Sequence, residues 1–404
     1  MRVLHVLKTA AGGGWALDEA SELIRLGVEV HVALPDDAGP AAPRWREAGA
    51  AVHIVSFRLP VCAPWQLLSA SDRARRLVSE IAPDIIHSHF VSTTLTLRLA
   101  LGKHHPIPRV FQVPGPLHLE HDVYRSVEIE TAGERDYWIA SSRCIQGLYR
   151  TAGVPAERVF LSYYGGLPYH AGVARSGELR TRLDVNDSQL LVGNISFMYA
   201  PKYYLGQRTG IKGHEDLIEA LRIVTDHRPE VVGALVGGAW DGATGYEEKL
   251  RRRAFRRAPG RIIMPGPLEH EGALRSWADF DCVIHAPLSE NCGGVVEPLF
   301  AAVPTVTVPV GGLPEVIIHG LTGYCAMRRT PQSLADAVLE VLSNLAAARA
   351  LARNGQALVR TMFDVRRTAG EVLGIYRHVL NASVPRPPEF DSLLFAHGAT
   401  AAHN

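Results

Sequence analysis

The sequence predicts an α/β protein with two doubly wound domains that face a central cleft, and two observations support this fold class. Residues 3–7 form a short apolar strand, three glycines follow at 12–14, and an amphipathic helix over 15–26 precedes a strand at 28–34. A strand, a glycine turn, a helix and a strand make a βαβ unit, whose strands pair in parallel through a right-handed crossover. The same alternation returns after residue 185, which predicts a second domain of the same kind.

Composition and charge exclude several classes of protein. The 404 residues are 47% hydrophobic and 21% charged, as in ordinary globular proteins. The net charge of +1 lacks the positive excess that is typical of nucleic-acid-binding proteins. No stretch approaches the roughly 18–20 apolar residues of a membrane span. The amino terminus runs directly into a strand and the five cysteines are scattered, so we expect no signal peptide, free thiols and a cytoplasmic location. Peripheral membrane contact and the oligomeric state stay open.

Residues 285–325 carry the strongest functional signal in the chain. They read as a strand, a glycine-broken loop, a short helix, a second strand and another glycine-pair loop. Pro298 would disrupt a helix beyond its first turn, so we expect this helix to begin near Val295 with Gly294 at or beside its N-cap. Its unpaired backbone N–H groups would then face the preceding loop, and a helix end of this kind binds phosphate.

Two glutamates flank this helix end. Glu290 lies upstream of the pair formed by Gly293 and Gly294, and Glu297 follows it. Carboxylates in these positions can accept hydrogen bonds from sugar hydroxyl groups while backbone amides hold phosphates. The residues alone therefore predict a phosphate-bearing ligand here, and a sugar nucleotide suits both features.

The spacing of these glutamates and the turns after them resemble a known signature. The glutamates form E-x6-E, residues 311–315 read GGLPE, and residues 320–323 read GLTG. This arrangement resembles the donor-binding signature of glycosyltransferase family 4, whose members have the GT-B fold. The family has E-x7-E and G-x-P where this chain has E-x6-E and Ala-Val-Pro at 302–304.

The resemblance covers residues 1–380 and implies a domain organisation. It implies an acceptor-binding Rossmann-like domain over 1–180 and a Rossmann-like domain that binds the nucleotide-sugar donor over 185–364. A helix over 365–380 would cross back onto the first domain. Residues 381–404 are rich in proline and polar side chains, and we expect them to be poorly ordered.

The resemblance also implies an activity. Family members of this type are retaining, metal-independent enzymes that move a sugar from a nucleotide-sugar, most often a UDP-sugar, to an acceptor hydroxyl without a further cofactor. The acceptor would be a small molecule or a glycan. By this resemblance Glu290 holds the donor sugar, Glu297 accepts hydrogen bonds from the ribose, and Lys212 stabilises the departing diphosphate. The full set of donor contacts that it implies is Gly13, Gly14, Arg208, Lys212, Gly266, Leu268, Glu290, Asn291, Cys292, Gly293, Gly294, Val295 and Glu297.

One cation of the family pattern is absent. The family has an arginine shortly after the strand that corresponds to 189–195, and Phe197 stands at that position here. A diphosphate that leaves without a metal needs compact positive charge. We therefore expect Arg208 or Lys202, in the long loop that follows, to supply it, and expect Arg208→Ala to lower turnover by more than about tenfold.

Two patterns raise the question of a metal. His87 and His89 lie at the carboxyl end of the strand DIIHSHF, where ligands bind in open α/β sheets. We expect no metal at this pair because no third ligand lies nearby in the sequence and the family needs none, and we interpret His89 as an acceptor contact. Asp279 and Asp281 spell D-x-D, the metal motif of another glycosyltransferase fold, but Asp281 opens a strand, so that interpretation is rejected.

A histidine in the first domain completes the implied site. His118 follows the strand at 110–113 and matches a family histidine that contacts the donor sugar, so the implied catalytic residues are Glu290, His118 and Lys212. A loop histidine satisfied by the backbone is the alternative for His118. Glu120 and His121 follow as candidate acceptor contacts.

Two other functions remain open at this stage. The shortened glutamate spacing and the missing arginine would fit a sugar-nucleotide-binding or regulatory protein on a GT-B scaffold. A UDP-sugar epimerase shares the fold, but its expected carboxylate and histidine pattern is not visible in this chain. Slow hydrolysis of the donor would distinguish a transferase from a pure binder.

Overall fold

The computed structural model describes residues 1–61, 63–166 and 174–401, with side chains up to 398. The chain divides into two compact units. Unit 1 consists of Met1–Leu167 and Met362–Phe390, and unit 2 consists of Pro168–Thr361 and Asp391–Asn404.

All of the strand pairs are parallel, as the sequence predicts. The strands are β1 Arg2–Val6, β2 Glu29–Leu34, β3 Ala51–Ile54, β4 Ile85–Ser88, β5 Arg109–Val113, β6 Asp136–Ala140, β7 Val159–Leu161, β8 Leu190–Ile195, β9 Val231–Val236, β10 Ile262–Ile263, β11 Cys282–His285, β12 Thr305–Thr307 and β13 Tyr324–Cys325.

The helices alternate with these strands. They are α1 Gly14–Arg25, α2 Ala41–Glu47, α3 Leu67–Ile81, α4 Val91–Leu101, α5 Asp122–Glu130, α6 Arg143–Thr151, α7 Glu178–Arg182, α8 His214–His227, α9 Thr244–Arg257, α10 His270–Ser276, α11 Gly293–Phe300, α12 Leu313–Val316, α13 Pro331–Ser343, α14 Leu345–Met362, α15 Val365–Leu380 and α16 Ser392–Ala401. Within the described residues, no helix combines the length and apolar composition that crossing a bilayer requires.

The sheet of unit 1 has the strand order β3-β2-β1-β4-β5-β6-β7. Its central strands are buried on both faces, which explains why they read as apolar runs rather than as alternating patterns. The strand order reverses between β1 and β4. Loops at the carboxyl ends of these two strands therefore lie side by side, at the position where open α/β sheets bind ligands.

The sheet of unit 2 has the order β10-β9-β8-β11-β12-β13 and reverses between β8 and β11. The loop after β8 leads to α8, and the loop after β11 leads to α11. A backbone hydrogen bond from Leu288 to Ile211 joins the two loops at 2.8 Å. This topology brings residues 212 and 290 together although they are far apart in the chain, and the two parallel sheets confirm the predicted fold class.

Helix α15 belongs to unit 1, where it packs against α1. Asp364 caps it by accepting hydrogen bonds from the backbone N–H groups of Arg366 and Arg367. One face of the helix is fully buried in the same apolar cluster as α1 and contributes Ala369, Val372, Ile375 and Tyr376.

The segments around the expected domain ends differ from the sequence prediction. Residues 174–180, predicted to end the first domain, belong to unit 2, because the side chains of Asp279 and Asp281 accept hydrogen bonds from Gly177 N and Arg180 Nη1. The D-x-D carboxylates therefore hold the start of unit 2.

The carboxyl-terminal segment, which the sequence predicts to be poorly ordered, has defined contacts at residues 386 and 389, whereas residues 402–404 lie outside the described residues. Arg386 donates to the carbonyl of Ala156 at 3.0 Å, and its guanidinium lies 4.2 Å from the centre of the Phe160 ring. Glu389 accepts a hydrogen bond from Gln146 at 2.7 Å. Charged side chains thus hold the proline-containing part of this segment against unit 1.

Candidate active site

The ion pair between Lys212 and Glu290 is the centre of the site in unit 2. Two glycines hold the backbone on either side of it. A Cβ on Gly213 would lie 1.9 Å from the carbonyl oxygen of Ala286, and a Cβ on Gly311 would lie 1.7 Å from that of Glu290. Both glycines also have positive φ, so no other residue fits either position without moving the backbone.

The charge of Glu290 is strongly favoured although its side chain is only 13% exposed. Burial alone would raise the pKa of this carboxyl, but the Lys212 ammonium and a hydrogen bond from His285 outweigh burial and hold the pKa well below its usual range. Glu290 is therefore an anion at every physiological pH, with an ammonium in contact with one oxygen.

His285 is a residue of the site that the motif did not reveal. Its Nε2 lies 3.3 Å from Glu290 Oε2, and its Nδ1 lies 3.2 Å from Asn194 Nδ2. Asn194 Nδ2 also donates to the carbonyl of Ile284 at 2.6 Å, which identifies it as the amide nitrogen. Burial lowers the pKa of His285, so a neutral ring accepts from Asn194 and donates its Nε2–H to Glu290. Its position at the end of β11 is the only sequence signal for this role.

Helix α11 begins earlier than predicted. It starts at Gly293 with Cys292 as N-cap, and Pro298 lies inside it. The prediction that it begins near Val295 is wrong because Pro298 removes only one intrahelical hydrogen bond from a helix of eight residues. The side chain of Val295 is fully buried, so only its backbone can meet a ligand.

The two glycines at this helix end have different roles. A Cβ on Gly294 would lie 2.0 Å from Nε2 of His285, so its missing side chain makes room for the histidine ring. A Cβ on Gly293 would meet nothing within 4 Å, and the residue is exposed. Amides in the first turn of a helix lack intrahelical partners. An anion could thus approach the backbone at Gly293.

The two residues before the glycines face the protein. The backbone N–H of Asn291 donates to Glu290 Oε1 at 3.2 Å. Cys292 is 1% exposed, and its thiol donates to the carbonyl of Gly312 at 3.4 Å. These contacts make Cys292 a packing residue that holds the two glycine-pair loops together.

Glu297 has a partner that the sequence did not indicate. Trp277 Nε1 donates to Glu297 Oε2 at 2.9 Å. Burial raises the pKa of Glu297, while the Trp277 hydrogen bond and the charges of His270 and Lys212 act in the opposite direction. The indole thus fixes one carboxylate oxygen of Glu297.

The loop after β8 brings a tyrosine near the ion pair. Burial raises the pKa of Tyr199, Lys212 opposes this and Glu290 adds to it, so the phenol lies within electrostatic range of both charges. Phe197, which replaces the family's arginine, is 49% exposed and packs edge-on against Trp240 with ring centres 5.0 Å apart. Trp240 also contacts the ring of Tyr199.

Arg208 does not join Lys212, which corrects the expectation from the sequence. It is exposed and lines a separate cavity of about 440 Å³ with residues of α8 and α9, among them Glu219 and Arg253. The loop after β8 is held near α9 because the backbone N–H of Gly210 donates to the phenol oxygen of Tyr246, on α9, at 3.1 Å.

The other expected donor contacts lie at loop starts. Gly266 follows β10, has positive φ and accepts a hydrogen bond from Gly237 N at 3.0 Å, and Leu268 is partly buried against the core. In unit 1, Gly13 is the N-cap of α1 with φ 87° and Gly14 is its first residue.

His118 is held inside unit 1. Its Nε2 lies 3.1 Å from the hydroxyl of Tyr149, and burial lowers its pKa to about 4. The ring is therefore neutral at physiological pH. Glu120 is exposed and His121 partly so, immediately before α5.

Two expectations about His89 are wrong. Its side chain is fully buried rather than available to an acceptor, with Nε2 3.0 Å from His5 Nδ1 and its ring against Trp15 and Tyr164. The premise that no third ligand lies near this pair also fails in the fold, because β1 places His5 beside His87 and His89. The partner lies 84 residues away in the chain, so only the strand order could reveal it.

Known proteins resemble this chain in sequence over both halves. The family model for Glycosyltransferase Family 4 matches residues 15–165, and that for Glycosyl transferases group 1 matches residues 203–358. An uncharacterized glycosyltransferase of Methanocaldococcus jannaschii is 24% identical over 229 residues, 55% of each chain. A D-inositol 3-phosphate glycosyltransferase of Streptomyces avermitilis is 28% identical over 39% of this chain and 34% of its own. These matches span about half or less of the length of the two relatives.

A solved structure extends the likeness to nearly the whole chain. The Anabaena protein Alr3699/HepE, crystallised in complex with UDP, has a TM-score of 0.76 and 22% identity, covering 93% of this chain and 100% of that one. At this level of identity the likeness concerns the fold.

Proposed function

Because this chain belongs to the family 4 type of glycosyltransferases, we propose that it transfers a sugar from UDP to an acceptor hydroxyl, with retention of configuration and without a metal at the diphosphate. The ion pair between Lys212 and Glu290 beside the start of α11 is the observation that carries the proposal. Its ammonium suits the diphosphate of a sugar nucleotide, and its carboxylate suits the hydroxyl groups of the sugar.

Lys212 supplies the positive charge for the leaving group. In the protein without donor, Glu290 neutralises it. When a donor binds, the diphosphate shares the ammonium and the first-turn amides near Gly293, while the carboxylate of Glu290 accepts a hydrogen bond from a sugar hydroxyl. Preorganised charge of this kind stabilises a departing diphosphate more than the intact donor, which is what accelerates transfer.

Glu297 is proposed to bind the ribose. Trp277 fixes one of its oxygens, so the other accepts hydrogen bonds from the ribose hydroxyls in a single orientation. The complexes of the Anabaena protein with UDP and with UDP-glucose support uracil as the base. The backbone around Gly266 and Leu268 is proposed to contact that base.

The remaining assignments are on unit 1. We assign Glu120 and His121 to the acceptor because both are accessible in front of α5. His118 would contact the donor sugar as a neutral ring, since its pKa of about 4 keeps it uncharged. No protein nucleophile is assigned, because retaining enzymes of this fold are not expected to need one.

Calorimetric titration with UDP, GDP and ADP tests the proposal. We expect UDP to bind and the other two to bind more weakly. Glu297→Ala should weaken UDP binding at least fivefold, about 1 kcal/mol, the scale of one hydrogen bond to a charged group. The control Glu248→Ala removes an exposed carboxylate of α9 and should change nothing. If none of the three nucleotides binds, the donor assignment fails.

A further inference from the structure

Three histidines converge in the interior of unit 1. His5 lies on β1 directly opposite His87 on β4, and His89 follows two residues later on the same side of the strand. All three side chains are fully buried. One ring nitrogen from each lies within 4.8 Å of the corresponding nitrogens of the other two.

Two tyrosines orient the rings from outside the cluster. The hydroxyl of Tyr376 lies 2.5 Å from His87 Nδ1, and that of Tyr164 lies 3.4 Å from His89 Nδ1. When Nδ1 carries the proton and donates it to an oxygen, Nε2 presents a lone pair to the opposite side. Metal-binding histidines are usually held in this way by a partner on their second nitrogen.

The protein leaves one nitrogen of His87 poorly satisfied. The Nδ1 of His5 and the Nε2 of His89 face each other, so the Nε2 of His5 lies on the far side of its ring. The Nδ1 of His87 lies beside Tyr376, and its Nε2 is buried with no hydrogen-bond partner among the described residues. Buried polar atoms normally have one. The hydrogen bond between His5 and His89 therefore accounts for only part of the arrangement, and a ligand that accepts the lone pair of His87 Nε2 would account for the rest.

The distances suit a metal ion after a small adjustment. Zinc binds histidine nitrogens at about 2.0–2.1 Å in tetrahedral geometry, which separates the ligand nitrogens by about 3.3 Å. His5 Nδ1 and His89 Nε2 are 3.0 Å apart, so they need to open by only a few tenths of an ångström. His87 would turn its ring towards them.

We propose that His5, His87 and His89 bind one divalent transition-metal ion, of which zinc is the representative. Imidazole ligands suit zinc, copper, cobalt and nickel rather than magnesium or calcium. Three histidines leave a fourth position for water or an anion. The site joins β1 to β4 and lies in unit 1, so it goes beyond the proposed sugar transfer and takes no part in stabilising the diphosphate.

A buried carboxyl can balance part of the ion's charge. Glu19 is fully buried, and its Oε2 accepts a hydrogen bond from Gln112 at 3.1 Å. The carbonyl of Gln112 accepts a hydrogen bond from Tyr164, which orients His89. Burial raises the pKa of Glu19 to about 8, and a cation nearby would favour its ionised form.

The ion has a route to the cluster at the start of α1. The ring of Trp15 lies 5.3 Å from His89 and 4.1 Å from Tyr164, measured between ring centres, and it is only partly buried. The exposed Gly12 precedes it. The proposed entry for the ion is therefore beside Trp15.

The test is a titration of the full chain, stripped of metal by a chelator, with Co²⁺ followed by visible absorption. We expect one Co²⁺ per chain with the intense bands of a tetrahedral site, displacement by one Zn²⁺, and a higher unfolding temperature with Zn²⁺. His87→Gln should abolish the bands. His53→Gln is the matched control, because His53 Nε2 lies 2.9 Å from His31 Nδ1 in a second histidine pair on β2 and β3. It should leave the binding unchanged.

A second variant keeps the test decisive if His87→Gln does not fold. Tyr164→Phe retains all three rings and removes only the oxygen beside His89, so Co²⁺ affinity should fall about 10- to 100-fold. The proposal is overturned if the wild type gives no such bands, if the bands persist in folded His87→Gln, or if Tyr164→Phe binds Co²⁺ as tightly as the wild type.

Discussion

Replacing Lys212 by methionine tests the role of the Lys212 charge while Glu290 stays in place. The change keeps the length of the side chain and removes the charge that faces Glu290. Losing one preorganised charge at a developing anion lowers turnover by about 10²- to 10³-fold, or about 3–4 kcal/mol. We therefore expect hydrolysis of the UDP-sugar that the wild type accepts, measured by UDP release, to fall at least 100-fold.

The same substitution should change how stability depends on pH. In the wild type the pKa of Glu290 lies below its usual value of 4.5, so its contribution to stability is complete above pH 4.5 and is lost as the pH falls through the lower, folded-state value. Burial is already the largest influence on this pKa; without Lys212 it is opposed mainly by His285, and the pKa should rise. The carboxylate then destabilises the variant at neutral pH, and protonation relieves this on acidification.

The expected cost at neutral pH is about 2 kcal/mol, the scale of a lost hydrogen bond to a partly buried charge. It should be smaller at pH 5 than at pH 8. Thermal unfolding of both proteins at the two pH values measures the difference, and Lys249→Met, which removes an exposed ammonium from α9, is the control. The reasoning is refuted if hydrolysis stays near the wild-type rate, or if the stability gap between the proteins widens on acidification.

Three further predictions concern the surroundings of the ion pair. Gly294→Ala should destabilise the protein by about 1–3 kcal/mol, because the new methyl group overlaps a buried histidine ring, whereas Gly293→Ala should not lower the unfolding temperature. Trp277→Phe removes the N–H that orients Glu297 and should weaken UDP binding about fivefold by calorimetry; because Trp277 is buried, the variant should also unfold at a lower temperature. Unchanged affinity in the folded variant would contradict the ribose assignment. Arg208→Ala should leave the rate of hydrolysis within about twofold of the wild type, because Arg208 lines a separate cavity and an electrostatic donor matters only beside the reacting charge. A tenfold loss would show that Arg208 belongs to the donor site.

The parallel sheets were predictable because each βαβ unit leaves a local pattern of strand, turn and helix. Glu290 and Lys212 could be singled out because each lies beside glycines, the pair at 293–294 and the one at 213, in a short motif that resembles the family pattern. Trp277 left no such signal, since its role depends on where the segment after α10 meets α11. Arg208 was misplaced because the direction of a long loop depends on its anchor, here Tyr246 on a later helix.

The histidines of unit 1 mark the limit of sequence reasoning most clearly. His87 and His89 are close in sequence and suggested a metal, but a pair alone did not justify one. The third ring comes from β1, and it faces His87 only because the sheet reverses between β1 and β4 and because the parallel register pairs His5 with His87. A shift of that register by one residue would turn His5 to the other face of the sheet. The candidate metal site thus depends on the order and register of the strands, whereas the Lys212–Glu290 site can be predicted from the motifs of its two loops.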